Sequence, residues 1–172
     1  DLRPTPPGIV GRVARRGHIP FGYFHDPERS ARTFPVVDGV RWAVPGDHGR
    51  RELDGRITLL GRGATSINTG GEKVYPDEIE SLLKAHPAIY DAVVVGAPDE
   101  RWGERVVAVV QCRAGHTIDL AALQTHVRAH LADYKVPRDL VVVDAVRHLA
   151  SGKPDLRWAA SLCAPQTAGA RS

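Results

Sequence analysis

The chain has 172 residues, 42% hydrophobic and 25% charged, with a formal net charge of +3. This is the profile of a globular protein long enough to bury a core, and no apolar run approaches the roughly 20 residues that cross a bilayer, which excludes a helical membrane span. The two cysteines, Cys112 and Cys163, stand apart from other Cys and His ligands, which excludes a disulfide framework and a structural zinc site and fits a reducing, cytoplasmic setting.

The opening Asp1-Leu2-Arg3-Pro4-Thr5-Pro6-Pro7, without a start methionine, reads like the interior of a longer chain. Residues 1–62 hold the basic surplus, with eleven Arg against seven acids. They also hold Phe21, Tyr23, Phe24, Phe34 and Trp42. Ile9–Ala14, Val40–Val44 and Ile57–Leu60 are short apolar or β-branched runs bounded by Gly, Asp and Pro, so they predict strands. Asp54-Gly55 predicts a two-residue hairpin ahead of the last of them. So few strands cannot cover so many aromatics, and this segment is expected to be the edge of something larger.

Residues 63–172 have a different pattern. Tyr75-Pro76-Asp77-Glu78 opens a helix, with proline in the first turn and acids at the positive end of the dipole. Ile79, Leu82 and Leu83 continue it, and His86-Pro87 stops it. Ala92–Val95 and Val106–Cys112 are continuous apolar runs, the mark of strands buried on both faces. Asp119 caps a second helix whose stripe is Leu120, Leu123, Val127, Leu131 and Tyr134. Leu140–Val143 predicts a third strand, Ser151-Gly152-Lys153 a loop, and Asp155–Leu162 a last helix, with a frayed tail over the final ten residues. The expected class is α+β: a compact domain over 63–172, preceded by a β-rich piece over 1–62.

Three places carry residues suited to chemistry. In Gly61-Arg62-Gly63-Ala64 through Gly70-Gly71-Glu72-Lys73, paired glycines let a backbone approach a ligand closely, and Arg62 and Lys73 can hold anions. The stretch matches neither the P-loop nor the dinucleotide fingerprint, and on local grounds it reads as a glycine turn before a helix. Lys153, after Ser151-Gly152, places an ammonium where it can neutralise a transferring phosphate; its plain reading is a solvated lysine. Asp47, after Pro45-Gly46, can accept from a ribose diol or simply close a turn. His126 and His130 share a helical face at i, i+4 but lack a third ligand, so no metal site is expected. Glu78 and Glu80 read as helix-end charges, and Lys135 as part of a turn. Arginines spread along the chain argue against a nucleic-acid partner, which would call for a basic stripe interleaved with aromatics.

Order and spacing add to this. Gly46-Asp47, Gly61-Arg62, the Gly70–Glu80 block, Pro98-Asp99-Glu100-Arg101-Trp102-Gly103-Glu104, Tyr134-Lys135-Val136-Pro137 and Ser151-Gly152-Lys153 occur in one chain. The ensemble resembles the C-terminal part of the adenylate-forming superfamily, over about residues 8–160. The Gly70–Glu80 block looks most like fatty-acyl-CoA synthetases, and the Val44-Pro45-Gly46-Asp47 wording is similar to actinobacterial fatty-acid and steroid-side-chain ligases.

The resemblance implies a two-step reaction, in which a small-molecule carboxylate and ATP form an acyl-adenylate and CoA then displaces AMP. It implies that Asp47 and Arg62 bind the nucleotide, that Lys153 is the catalytic lysine of adenylation, and that Gly70, Gly71 and Lys73 line the CoA tunnel. It places a hinge at Gly63-Ala64, about which the C-terminal domain turns between the half-reactions. Ala64 departs from the usual Asp or Lys of the family, and Arg147-His148-Leu149-Ala150 departs from its usual Arg-Thr-Pro. Nothing here resembles the family's phosphate loop, so Mg, the triphosphate and the acyl chain are expected to be held mainly by an absent N-terminal domain, leaving the fragment alone inactive. Its severed β edge offers a surface for self-association. Two alternatives stand beside this: a stand-alone truncated homologue acting as a binding module, and another adenylate-forming enzyme such as an aryl-CoA ligase.

Overall fold

A computed structural model of the chain describes residues 2–163. The predicted tail, except for Cys163, lies outside the described residues. The chain divides into two compact units, Asp1–Thr65 and Ser66–Ser172, so the 3-10 turn Gly63–Thr65 clusters with the first unit rather than the second.

In the first unit, β1 (Val10–Arg12), β4 (Asp47–Arg51) and β5 (Ile57–Arg62) form an antiparallel sheet in the order β1-β4-β5. Between β1 and β4 come helix α1 (Pro27–Thr33) and the small hairpin β2 (Val36–Val37) and β3 (Val40–Arg41). The helix was not foreseen, although its start is written plainly. Asp26 accepts from the Arg29 N–H at 2.9 Å, Pro27 takes the first turn, and Glu28 faces the positive end of the dipole. The β2–β3 turn has positive φ at both Asp38 (51°) and Gly39 (74°), as a type I′ turn requires. The Asp54-Gly55 hairpin is one residue longer than expected. Gly55 alone has positive φ, its N–H donates to the Glu52 carbonyl at 3.0 Å, and Glu52 and Arg56 close a three-residue loop. The expected strand at Val40–Val44 ends at Arg41, and Ala43 instead bridges Arg15.

The second unit is a sheet covered on both faces, in the α+β class expected. Its elements are β6 (Ile67–Thr69), β7 (Glu72–Val74), α2 (Pro76–Lys84), β8 (Ile89–Asp99), β9 (Gly103–Cys112), α3 (Leu120–Arg128), β10 (Asp139–Val143) and α4 (Leu156–Cys163). Strand β9 pairs antiparallel with β8 and parallel with β10, and at Gly103 it meets Thr69 of β6. The continuous apolar runs divide by parity. Ala92, Val94, Val106, Ala108 and Val110 lie in one core with Ile79 and Leu83 of α2 and Leu123 and Val127 of α3. Val93, Val95, Val107 and Val109 lie in another with Ala159 and Cys163 of α4. Two covered faces explain why these strands show no polar alternation.

Asp119 caps α3 by accepting from the Ala122 N–H at 2.8 Å, as expected. The helix ends at Arg128, however, so Leu131 and Tyr134 are not on it. Leu131 packs on the core from the following loop, and Tyr134 sits partly exposed in the 3-10 turn Asp133–Lys135.

Candidate functional site

Asp47 opens β4 and Arg62 closes β5, and the antiparallel register makes them direct partners. Arg62 Nε donates to Asp47 Oδ1 at 3.3 Å, with both side chains open to solvent. Two residues 15 positions apart therefore form one polar pair, a fixed acceptor with a guanidinium beside it. The turn that follows is tight: a Cβ on Gly63 would stand 2.6 Å from the His48 ring, so a larger residue there must displace that ring.

The paired glycines form the β6–β7 turn, with φ of 59° at Gly70 and 87° at Gly71. They are glycines for different reasons. A Cβ on Gly70 would stand 2.8 Å from the Trp102 ring, whereas one on Gly71 would meet nothing within 4 Å. The Gly70 N–H also donates to the Trp102 carbonyl at 2.9 Å. The guanidinium groups of Arg101 and Arg138 lie over that indole, 4.7 and 4.6 Å from its centroid. Lys73, on β7, is exposed. The turn thus stands beside an aromatic ring carrying two cations, a grouping that sequence reading did not find because Arg138 lies 36 positions from Trp102 along the chain.

Lys153 sits on a short hairpin. His148 and Pro154 form an antiparallel bridge, the Leu149 N–H donates to the Lys153 carbonyl, and the Gly152 N–H donates to Leu149, both at 2.8 Å. The Lys153 side chain is exposed, and among the described residues its ammonium has no hydrogen-bond or ion-pair partner.

These two features lie at opposite ends of the second unit's sheet. The glycine turn abuts Gly103, where β9 begins. The lysine hairpin follows Val146, whose N–H donates to the Gln111 side chain at 3.2 Å, where β9 ends. Eight residue steps lead from Gly103 to Gln111, roughly 26 Å of extended chain. The sheet holds them apart.

Residues read as bystanders have definite roles. Lys135 forms an ion pair with Glu78, each side chain 13% exposed, tying α2 to the turn before β10. Glu80 accepts from the Val94 N–H at 2.8 Å, and burial pushes its carboxyl above the usual range. His126 stacks edge-on against His86 at 4.9 Å, and burial, with His126 second, holds the His86 imidazole below its ordinary value. Among the described residues no group of three His, Cys, Asp or Glu side chains is arranged to hold a metal, and no helix is long and apolar enough to cross a membrane.

Residues 78–153 match the family model of the AMP-binding enzyme C-terminal domain. The chain is 53% identical over 152 residues to a medium/long-chain-fatty-acid–CoA/3-oxocholest-4-en-26-oate–CoA ligase of Mycolicibacterium smegmatis, a match covering 88% of this chain and 28% of that protein. It is 53% identical over 161 residues to the 3-oxocholest-4-en-26-oate–CoA ligase of Rhodococcus rhodochrous, covering 92% of this chain and 29% of that one. Among solved structures, the amide bond synthetase McbA from Marinactinospora thermotolerans superposes with a TM-score of 0.82 and 34% identity, covering 94% of this chain and 32% of that one. The matched stretch thus spans under a third of the length of these relatives.

Proposed function

The chain belongs to the adenylate-forming enzymes and carries their C-terminal domain, and from that premise we propose that it works as the C-terminal part of an ATP-dependent acyl-CoA ligase. In the first half-reaction a carboxylate oxygen attacks the α-phosphorus of ATP, forming the acyl-adenylate and releasing pyrophosphate. In the second, the CoA sulfur attacks the acyl carbon, the acyl–oxygen bond breaks, and AMP leaves. The relatives' names support a carboxylate of the fatty-acid or steroid-side-chain class.

The roles of Asp47, Arg62, Lys153 and Gly71 are those the resemblance implies, and the local chemistry suits them. Asp47, oriented by Arg62, accepts from the ribose hydroxyls. Lys153 brings an unpaired ammonium to the substrate carboxylate and α-phosphate, offsetting the negative charge gathered there. Gly71, with open space where a side chain would stand, lets the thin pantetheine arm pass close to backbone. Arg101, Arg138 and Lys73 supply cations for the phosphates of CoA. Mg and the triphosphate are assigned mainly to the rest of the ligase. Phe21, Phe24 and Leu53, each more than 90% exposed on the first unit, suit an interface with that remainder.

The observation that carries this reading is the separation of the glycine turn from the lysine hairpin. One reaction centre cannot meet both at once, so the domain presents one end of its sheet for adenylation and the other for thioester formation, turning about Gly63-Ala64. In the complete ligase, Lys153→Ala is expected to abolish acyl-dependent ATP–pyrophosphate exchange while CoA attack on supplied acyl-adenylate largely survives. Equal loss of both steps sinks the assignment.

A further inference from the structure

Asp91 stands near the start of β8 with its two carboxylate oxygens committed to different neighbours. Oδ1 accepts from the Ala92 N–H at 2.8 Å and from Lys84 Nζ of α2 at 3.1 Å. Oδ2 lies 3.3 Å from Nε2 of His148. The other ring nitrogen of His148, Nδ1, lies 3.1 Å from the Val146 carbonyl. Both ring nitrogens therefore face acceptors. Whichever nitrogen carries the proton, the ring lies between a strand carboxylate and the backbone of its own hairpin. The charged groups around it are Asp91 on β8, Lys84 and Glu80 of α2 beyond Asp91, and Arg147, Lys153 and Asp155 of its own hairpin. Among the described residues only Asp91 meets the ring with a charge.

His148 is also the residue that bridges Pro154 at the base of the hairpin whose tip carries Lys153. We propose that His148 is a positioning residue for Lys153: its ring, held between Val146 and Asp91, ties the lysine hairpin to the sheet so that the ammonium is delivered at a fixed place. The inference rests on the reading of Lys153 as the adenylation lysine. Without the contact to Asp91 the hairpin is held by its own bridge alone, so adenylation slows. The thioester step uses the opposite end of the sheet and does not share that loss.

The test uses the complete ligase, measuring acyl-dependent ATP–pyrophosphate exchange and thioester formation from supplied acyl-adenylate. His148→Leu is expected to lower the exchange kcat roughly ten- to a hundred-fold, the scale set by a misplaced catalytic group. Asp91→Ala, which removes the carboxylate facing the ring, is expected to behave alike. His148→Arg keeps a donor toward Asp91 and is expected to restore most of the rate. Thioester formation stays unchanged in all three. If His148→Leu matches the wild type in exchange while Lys153→Ala is inactive in exchange, the tether is overturned alone. If Lys153→Ala keeps wild-type exchange, the reading of Lys153 falls instead.

Discussion

At the scale of the residue, Glu80 shows how burial and a hydrogen bond oppose each other on one carboxyl. Burial disfavours its ionised form and outweighs the Val94 N–H and Lys84, which favour it. The folded-state value is therefore raised above the unfolded one. Its contribution to stability is complete below the unfolded value of 4.5 and is lost as pH rises through the folded value. A glutamine keeps an oxygen for the Val94 N–H and never ionises. Glu80→Gln is thus expected to raise Tm at neutral pH, with the gain vanishing below about pH 4. Thermal unfolding at both ends of that range checks it, and a gain of equal size at each would mean that ionisation is not its source. Lys135 and Glu78 are the contrasting case. The sequence reading took them as a helix-end charge and a turn residue and not as a pair, because the two lie 57 positions apart and only the fold closes that distance.

At the scale of the element, the β6–β7 hairpin separates two meanings of glycine. Both Gly70 and Gly71 need positive φ, which costs an alanine on the order of 1–2 kcal/mol. Gly70→Ala must in addition push the Trp102 ring aside, since its Cβ would arrive 2.8 Å away. Gly71→Ala is therefore expected to lose only the backbone cost in urea unfolding and Gly70→Ala distinctly more. Gly71→Ala is also expected to slow thioester formation while pyrophosphate exchange stays intact; comparable losses of stability at the two positions would contradict this assignment. The same hairpin marks where sequence reading stops. β8 and β9 were legible because two buried faces make an unbroken apolar run of valines and alanines. β6 and β7 were not, since three residues cannot display a period of two, and the glycines drew attention to the loop between them. α1 was legible and went unread, its Asp26-Pro27-Glu28 start hidden among aromatics. For the candidate site, the resemblance supplied positions one by one, but the pairing of Asp47 with Arg62, the cations over Trp102 and the seat of His148 depend on register and on contacts between distant segments.

At the scale of the whole molecule, the proposed reaction asks two distant groups of one chain to serve one centre. The lysine hairpin and the glycine turn are fixed near opposite ends of β9, whose stretch from Gly103 to Gln111 spans roughly 26 Å, and a sheet covered by helices on both faces does not bend enough to bring those ends together. Motion has to come from outside the second unit. The 3-10 turn Gly63–Thr65 ends the first unit immediately before Ser66, and it joins the proposed nucleotide pair to the proposed moving domain. Proline fits the φ of a 3-10 turn, so Ala64→Pro holds the backbone in the conformation it has here and removes the freedom to leave it. A turn that works as a pivot must visit a second conformation, and proline denies it one. In the complete ligase, Ala64→Pro is therefore expected to spare one half-reaction and to depress the other by a hundred-fold or more, on the order of a misplaced catalytic group. Measuring pyrophosphate exchange beside thioester formation from supplied acyl-adenylate separates the two. A variant that loses both equally, or neither, would place the pivot elsewhere in the chain.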